Sequence, residues 1–195
     1  MDTEKDIKRR KGLVLETMRT LNHIFKTHKL SILTKIRTFN AYCGSIFLYN
    51  SELWVTTKSV NNMIDSVHRR MLRKVLDIKW PEVINNNELY DTTKEGKWSY
   101  IIKGRKLSWL GHLMRLDVDT PARKALIEFC KPVKKVIGKH RQTWVETIKK
   151  DLQNIRLNLD KKNDNVYFEQ LAKFCENRKL WKDEVKYMML NTTYM

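Results

Sequence analysis

The residues of this sequence best suited to chemistry are basic side chains grouped between Lys97 and Lys150. This segment holds 14 Lys and Arg residues against 4 Asp and Glu residues. Cations at this density neutralise the phosphates of a nucleic-acid backbone and position a protein without reading the base sequence. We predict phosphate contacts from a basic loop and from the helix before it: Lys134, Lys135, Lys139 and Arg141 in the loop, and Arg105 and Lys106 in the helix. The alternative is a loop whose charges are merely solvated.

A second group of cations lies on a predicted helix earlier in the chain. Arg69 and Arg73 are four residues apart and therefore share one helix face, with Arg70 next to them. Three guanidinium groups in this position could straddle a phosphate backbone. The alternative is the solvated back of a helix whose other face lies in the core.

Side chains that could catalyse a reaction or bind a metal ion are present but unfavourably spaced. His112 has no Cys or His at ligand spacing, so we predict that it packs against Trp109 or caps a helix. Asp117 and Asp119 could bind a cation, but acids just before Pro121 are typical of a turn at a helix start. We therefore predict no catalytic residue, no metal site and no cofactor.

The cysteines are three in number and widely spaced, and they lie in apolar stretches: Cys43, Cys130 and Cys175. This pattern favours buried free thiols in a reducing compartment over a disulfide framework. Cys130, His140 and Cys175 lack the paired short spacing of a zinc knuckle, so we do not assign them a metal.

Five tryptophans could stack on nucleic-acid bases: Trp54, Trp80, Trp109, Trp144 and Trp181. Aromatic residues at helical core spacing are more often packing residues. We therefore favour a packing role, particularly for Trp109, Trp144 and Trp181.

The charge of the whole chain indicates a polyanionic partner. Lys and Arg number 39 and Asp and Glu number 22, which gives a formal net charge of +17. Nucleic acid is the commonest such partner. We expect no membrane binding, because the sequence has no apolar run of about 18 residues and no terminal helix that collects the basic residues. The charged first residues contain no signal-peptide core, so we expect an intracellular protein, nuclear or cytoplasmic.

We predict an all-α fold. Glycine and proline are scarce, at 6 and 3 residues, and apolar residues recur at helical spacing. We predict a three-helix unit at 1–78, a linker with a short helix at 79–96, and a basic helical unit at 97–195. The boundary is placed where Trp80-Pro81 ends the helical pattern and Asn85 to Asn87 offer capping oxygens to the short helix.

The first unit is predicted to contain one helix from about Asp6 to Thr27 and a second that Ser31 or its neighbour caps. A third helix should begin between Thr56 and Ser59, with His68 among the cations on its exposed face.

The second unit is predicted to begin with a helix from Trp98 to Leu116. Gly104 and Gly111, seven residues apart, would let this helix approach a neighbour closely. Further helices are expected at Ala122 to Phe129, from Trp144 onward, and from about Tyr167 to Met188.

Three blocks of the second unit follow a pattern in a fixed order: Arg105-Lys-Leu-Ser-Trp-Leu-Gly-His-Leu-Met-Arg115, Thr120-Pro-Ala-Arg-Lys-Ala-Leu126 and Gly138-Lys-His-Arg-Gln-Thr-Trp144. Together they resemble the tail of a reverse transcriptase from a LINE-type (non-LTR) retrotransposon. Earlier blocks resemble the thumb of the same family: Ile7-Lys-Arg-Arg-Lys-Gly-Leu13, Lys35-Ile-Arg-Thr-Phe-Asn-Ala-Tyr42, Ser45-Ile-Phe-Leu-Tyr-Asn-Ser-Glu-Leu-Trp54, Ile64-Asp-Ser-Val-His-Arg-Arg-Met-Leu-Arg73 and Ile78-Lys-Trp-Pro81. Asn50 stands where the family usually has glycine. Because Asn also tolerates a left-handed backbone, we expect the turn to be kept.

The resemblance implies a thumb and post-thumb region that contacts a template–primer duplex or the RNA of the element. In that family, polymerase chemistry belongs to an upstream palm whose paired aspartates hold two metal ions. No part of this sequence resembles the palm or the apurinic-type endonuclease domain of the family. We therefore expect a noncatalytic region that binds RNA, an RNA–DNA hybrid or DNA, with a polymerase palm or a second copy of the chain as further candidate partners.

Two alternatives remain open. One is a protein-interaction or scaffold module derived from a retrotransposon remnant, and the other is a decayed reading frame without a selected function. The position of exposed apolar surface discriminates between the hypotheses. A thumb cut from its palm should leave apolar surface uncovered near Phe25, Phe39 and Tyr42, through which the chain would self-associate or bind a partner.

Overall fold

In a computed structural model, the protein is described at residues 2–130, 142–153 and 164–191. These ranges are predominantly helical and contain no β-strand, which confirms the all-α prediction. The chain divides into two compact units, Met1–Ile102 (unit 1) and Lys103–Met195 (unit 2). Within the described ranges, no helix is both long enough and apolar enough to cross a lipid bilayer.

Unit 1 begins with two helices where the sequence predicted one, α1 (Thr3–Thr20) and α2 (Asn22–Lys26), separated at Leu21. The remaining elements follow in chain order: α3 (Ile32–Phe39), a π-helical turn (Asn40–Gly44), α4 (Ser45–Leu48), a 3-10 turn (Ser51–Leu53), α5 (Lys58–Val75), α6 (Asn86–Thr93) and the start of α7 (Trp98–Arg115).

Three of these helices begin at the polar residues that the sequence indicated. The side-chain oxygens of Ser31, Thr57 and Asn85 each accept a hydrogen bond from the amide three residues further on, at 3.2, 3.2 and 2.9 Å. Such a bond satisfies one of the amides that the first helical turn leaves without a partner. Asn50 is left-handed, with φ 51° and ψ 25°, so the expected turn is also present.

The core of unit 1 contains a stack of aromatic rings that includes one unexpected member, His68. The sequence placed His68 on the exposed face of α5, but its side chain is fully buried. Its ring lies nearly parallel to that of Trp98, with the ring centroids 4.2 Å apart. The reason is its place on the helix, since Ile64 and Leu72, four residues away on either side, are buried as well.

The core of unit 1 extends beyond the 79–96 segment that the sequence assigned to a linker. Leu89 of α6 and Trp98 of α7 are buried in the same cluster as α5. Asp65 of α5 accepts hydrogen bonds from the amide of Ser99, at 2.9 Å, and from its hydroxyl, at 2.7 Å. A carboxylate at the first turn of α7 is favourable for the helix dipole, and this contact ties α7 to α5.

Unit 2 contains the rest of α7 and four further helices: α8 (Pro121–Cys130), α9 (Trp144–Leu152), α10 (Asp164–Glu176) and α11 (Arg178–Asn191). The helix predicted to run from Tyr167 to Met188 is therefore two helices. The break lies at Asn177, whose side-chain oxygen accepts a hydrogen bond from the amide of Leu180 at 3.1 Å. Asn177 competes for the backbone amides in this way and starts α11.

The two glycines of α7 allow the close approach that their spacing suggested. A Cβ atom at Gly111 would overlap the indole of Trp181, and one at Gly104 would lie 2.6 Å from the sulfur of Met189. Trp181 uses this space to donate a hydrogen bond from Nε1 to the carbonyl of Leu107, at 3.0 Å. The core of unit 2 is built around this contact between α7 and α11.

Candidate nucleic-acid interface

Helix α5 separates a buried apolar face from an exposed cationic one. Its core residues recur three or four positions apart: Val60, Ile64, Val67, Met71, Leu72 and Val75. Arg70 and Lys74 are exposed, and Arg69 and Arg73 are half-buried. Apart from His68, this is the division that the sequence predicted.

A depression of about 500 Å³ lies beside the cationic face of α5. Its lining consists of four cationic side chains and three uncharged residues: Arg69, Arg70, Arg73, Lys74, Ser66, Ile78 and Asn86. No acid lines it within the described part of the chain. The structure thus brings together the three arginines predicted from the sequence and adds Lys74.

Arg73 is the most firmly positioned cation of the four. Its Nη2 donates hydrogen bonds to the carbonyl of Ile84, at 3.2 Å, and to the side-chain oxygen of Asn86, at 2.9 Å. These bonds attach the segment between α5 and α6 to the cationic face. Because both acceptors are uncharged, Arg73 keeps its full positive charge.

A second depression, of about 490 Å³, adjoins the first and shares Lys74 and Ile78 with it. It brings in three further cations, Arg19, Lys26 and Lys79. Arg19 is partly neutralised, since its Nη1 lies 2.8 Å from a carboxylate oxygen of Glu16. We refer to the cations that line the two depressions as the α5 track: Arg69, Arg70, Arg73, Lys74, Arg19, Lys26 and Lys79.

Asp77 is the acid in the lining of the second depression. A hydrogen bond from Lys79 is the largest cause that lowers the pKa of Asp77, and the charges of Lys79, Lys26 and Lys35 add to it. The Lys79 ammonium lies 2.8 Å from the carboxylate. The lowered pKa means that the electrostatic potential around the Asp77 carboxylate is dominated by the neighbouring cations.

Sequence reasoning left Arg19, Lys26, Lys74 and Lys79 out of the predicted site. Arg19 and Lys26 are more than 40 residues from Arg69 in the chain, and neither forms part of a charge cluster. Of these four residues, Lys74 could have been predicted from the sequence, because it directly follows Arg73. The others could be found only once α1, α2 and α5 were packed together.

Lys106 was predicted to bind phosphate, and the structure contradicts this. Its side chain is 0% exposed, and its ammonium donates hydrogen bonds to Thr147 Oγ1 at 2.8 Å and to Asp151 Oδ2 at 3.0 Å. Burial lowers the pKa of Lys106, opposed by the charge of Asp151. Lys106 is a structural cation between α7 and α9. Arg105, its neighbour, is exposed, so the two side chains cannot contact phosphates together as predicted.

The four cations of the predicted basic loop, Lys134, Lys135, Lys139 and Arg141, lie outside the described residues. Their role stays a prediction.

Two of the side-chain groups considered for metal binding have ordinary structural roles. The rings of His112 and Trp109 pack with their centroids 5.2 Å apart, as predicted. Asp117 accepts a hydrogen bond from the amide of Asp119 at 2.9 Å, which forms the expected turn before α8. Across the described residues, no three His, Cys, Asp or Glu side chains lie close enough to hold a metal ion.

Cys43 and Cys175 are buried free thiols, as predicted. Burial raises the pKa of Cys43 to about 11 and that of Cys175 to about 12, so both remain protonated at neutral pH. The side chain of Cys130 lies outside the described part of the structure.

The tryptophans differ widely in exposure. Trp54 and Trp181 are buried and Trp109 and Trp144 are half-buried, which confirms packing roles for these four. Trp54 donates a hydrogen bond from Nε1 to Asp6 at 2.8 Å. Trp80, in contrast, is 89% exposed.

The uncovered apolar patch expected of a thumb cut from its palm is present only in part. Phe25 is 2% exposed and Phe39 is 0% exposed, because both belong to the core of unit 1. Tyr42 is 57% exposed. Ile32 and Leu33, at the start of α3, are 44% and 54% exposed as well, so part of the apolar surface of this region is uncovered.

No family model, curated protein or solved structure matches this chain. The resemblance to LINE-type reverse transcriptases therefore stays a prediction carried by the sequence blocks.

Proposed function

We propose that this chain binds nucleic acid through the sugar–phosphate backbone and does not itself catalyse a reaction. It would hold template–primer or RNA in the way expected of the thumb and post-thumb region that its sequence resembles. The observation that carries the proposal is the cationic depression beside α5, where four Lys and Arg side chains meet without an acid among the described lining residues.

The arrangement of these cations favours phosphate over a single small anion. The α5 track continues from the first depression into the second, so successive phosphates of one strand could each meet a cation. The chain's net charge of +17 adds long-range attraction to any polyanion. Backbone contacts of this kind give little sequence preference and a steep dependence on salt.

The test is fluorescence anisotropy of the full chain against an RNA–DNA hybrid, single-stranded RNA and duplex DNA across a salt series. With about six to eight phosphate contacts, the plot of log affinity against log salt should have a slope of roughly −4 to −7.

The sharpest variant is the double substitution Arg70→Gln with Lys74→Gln. Both side chains are exposed and line the depression, so their removal should not disturb the fold. Because each lost phosphate contact removes about 0.7 to 0.9 from the slope, the double variant should flatten it by about 1.4 to 1.8.

A charge-matched control is Arg9→Gln with Lys94→Gln. These two cations are also exposed in unit 1, and they line neither depression. The control should keep the wild-type slope to within about 0.5. Equal effects of the two double variants would show that only net charge matters, and would contradict a defined site. An absence of binding at low salt would overturn the proposal and favour the protein-interaction module.

A further inference from the structure

We infer that Trp80 stacks on an unpaired base of a single strand whose phosphates lie along the α5 track. This inference rests on the proposed function and adds a preference for single-stranded RNA or DNA over duplex. Trp80 is the only one of the six tryptophans whose side chain is exposed. An indole that is 89% exposed gains little from packing within the protein and leaves its ring face available to a ligand.

The segment that carries Trp80 is attached to the cationic depression at both ends. Ile78, two residues before Trp80, lines the depression. Two residues of extended chain span at most about 7 Å between Cα atoms, so the backbone at Trp80 lies close to the lining of the depression. Four residues after Trp80, the carbonyl of Ile84 accepts the hydrogen bond from Arg73 at 3.2 Å.

The segment between these anchors is compact and carries two exposed apolar side chains, Trp80 and Val83, beside the charged Lys79 and Glu82. The amide of Glu82 donates to the carbonyl of Lys79 at 2.8 Å, which forms a turn around Trp80 and Pro81. Val83, the residue after this turn, is 82% exposed. An exposed ring, carried on a backbone segment close to a cationic depression, is the combination by which proteins bind single strands.

The chemistry of stacking selects the strand type. An unpaired base exposes its ring face, whereas bases within a duplex are already stacked on their neighbours and must be unstacked at a cost. The phosphates of a single strand and those of a duplex would bind the cations of the α5 track equally well. Trp80 should therefore contribute to affinity for single strands and not for duplex.

The test compares the full-length wild-type chain with Trp80→Ala, Trp80→Tyr and Val83→Ala. Anisotropy is measured with single-stranded RNA, with duplex DNA and with an abasic deoxyribose-phosphate strand that has the same charge and no bases. Trp80→Ala should lose about 5- to 150-fold in affinity for the RNA, the range that one base–aromatic stack provides. Its affinity for the abasic strand and for the duplex should change less than about 2-fold, with an unchanged salt slope.

The other two variants separate stacking from general apolar contact. Trp80→Tyr keeps an aromatic ring and should retain most of the affinity, whereas Val83→Ala removes neighbouring apolar surface and should have no effect. Equal losses for RNA, duplex and abasic strand, or no loss in Trp80→Ala, would overturn the stacking role. If the stacking role is overturned in this way but the Arg70/Lys74 double variant still weakens binding, the proposed function stands without a role for Trp80. If the wild type binds none of the three ligands, both proposals fail.

Discussion

At the scale of the residue, His68 shows how one helix position decides the role of a side chain. Within the described residues, neither ring nitrogen of His68 has a hydrogen-bond partner, and the ring packs against those of Trp98 and Phe39. Burial, reinforced by the charge of Arg69, lowers the pKa of His68 to about 3. His68 therefore stays neutral in the folded protein wherever ordinary carboxylates are still ionised.

This depressed pKa predicts a loss of stability in mild acid. Below about pH 6.5 the unfolded chain protonates His68 and the folded chain does not, so the free energy of unfolding falls as the pH falls. The slope due to this one group approaches about 1.4 kcal/mol per pH unit between about pH 6 and pH 5. The substitution His68→Phe, which keeps an aromatic ring in the stack, should remove that contribution in urea unfolding measured across this range.

The matched control is His112→Gln, because His112 is exposed. This variant should keep the wild-type pH dependence. An unchanged slope in His68→Phe would show that His68 is not the group that titrates on unfolding.

Lys106 is a charged residue whose role is likewise decided by its position on a helix. The sequence offers Lys106 beside Arg105 in a basic segment, and nothing in their types separates the two. Adjacent helical residues point about 100° apart, however, and that rotation directs Lys106 to Asp151 of α9 and leaves Arg105 exposed.

At the scale of the element, α7 depends on its glycines for packing within unit 2. Gly104 and Gly111 lie one above the other on the face toward α11, and both would collide with it if they carried a side chain. The two collisions differ in kind. Met189 at Gly104 is a flexible thioether, whereas Trp181 at Gly111 is a rigid ring held by its hydrogen bond to Leu107.

This difference predicts a ranked series of Gly→Ala variants. Gly111→Ala should destabilise the protein by about 3 kcal/mol or more, because Trp181 cannot keep both its position and its hydrogen bond. Gly104→Ala should cost less, about 1 to 2 kcal/mol, since Met189 can move aside. Thermal unfolding followed by circular dichroism would measure both.

Gly12 in α1 is the control, because a Cβ atom there meets nothing within 4 Å. Gly12→Ala should stabilise its helix by about 0.5 to 1 kcal/mol through helix propensity alone. Similar destabilisation by all three substitutions would contradict a specific packing role for Gly111.

At the scale of the whole molecule, positive charge is spread over both units, but its local arrangement differs. The α5 track belongs to unit 1. In unit 2, Lys106 is internal, and the predicted basic loop lies outside the described residues. Exposed cations such as Arg105, Lys124 and Lys182 are present in unit 2, but the two cation-lined depressions lie on unit 1.

Hydrogen exchange of the full chain, with and without single-stranded RNA, should reflect this arrangement. We expect slower exchange in residues 66–86, which carry the first depression and the Trp80 turn, because a bound strand restricts opening there. Helix α11, whose Trp181 and Val185 are buried within unit 2, should change little. Protection confined to 164–191 would contradict an interface on α5.

Much of the fold could be predicted from the sequence, because the signals that set it are local. Helical spacing, scarce glycine and proline, and the caps Ser31, Thr57 and Asn85 act within a few residues of chain, and the structure confirms them. Asn50 is another local case, since its own backbone preference predicts the left-handed turn. The high net charge and its attraction for polyanions are likewise properties of composition.

The tertiary structure decided the features that depend on contacts between residues far apart in the chain. It joined Arg19 and Lys26 to α5, buried Lys106 and His68, and left Trp80 exposed. A sequence shows which side chains are available, but burial depends on which helix faces meet, and that follows from packing between segments far apart in the chain. For this protein the sequence by itself determined an all-α, strongly basic chain, and only the packing of α1, α2 and α5 determined where its cations form a surface.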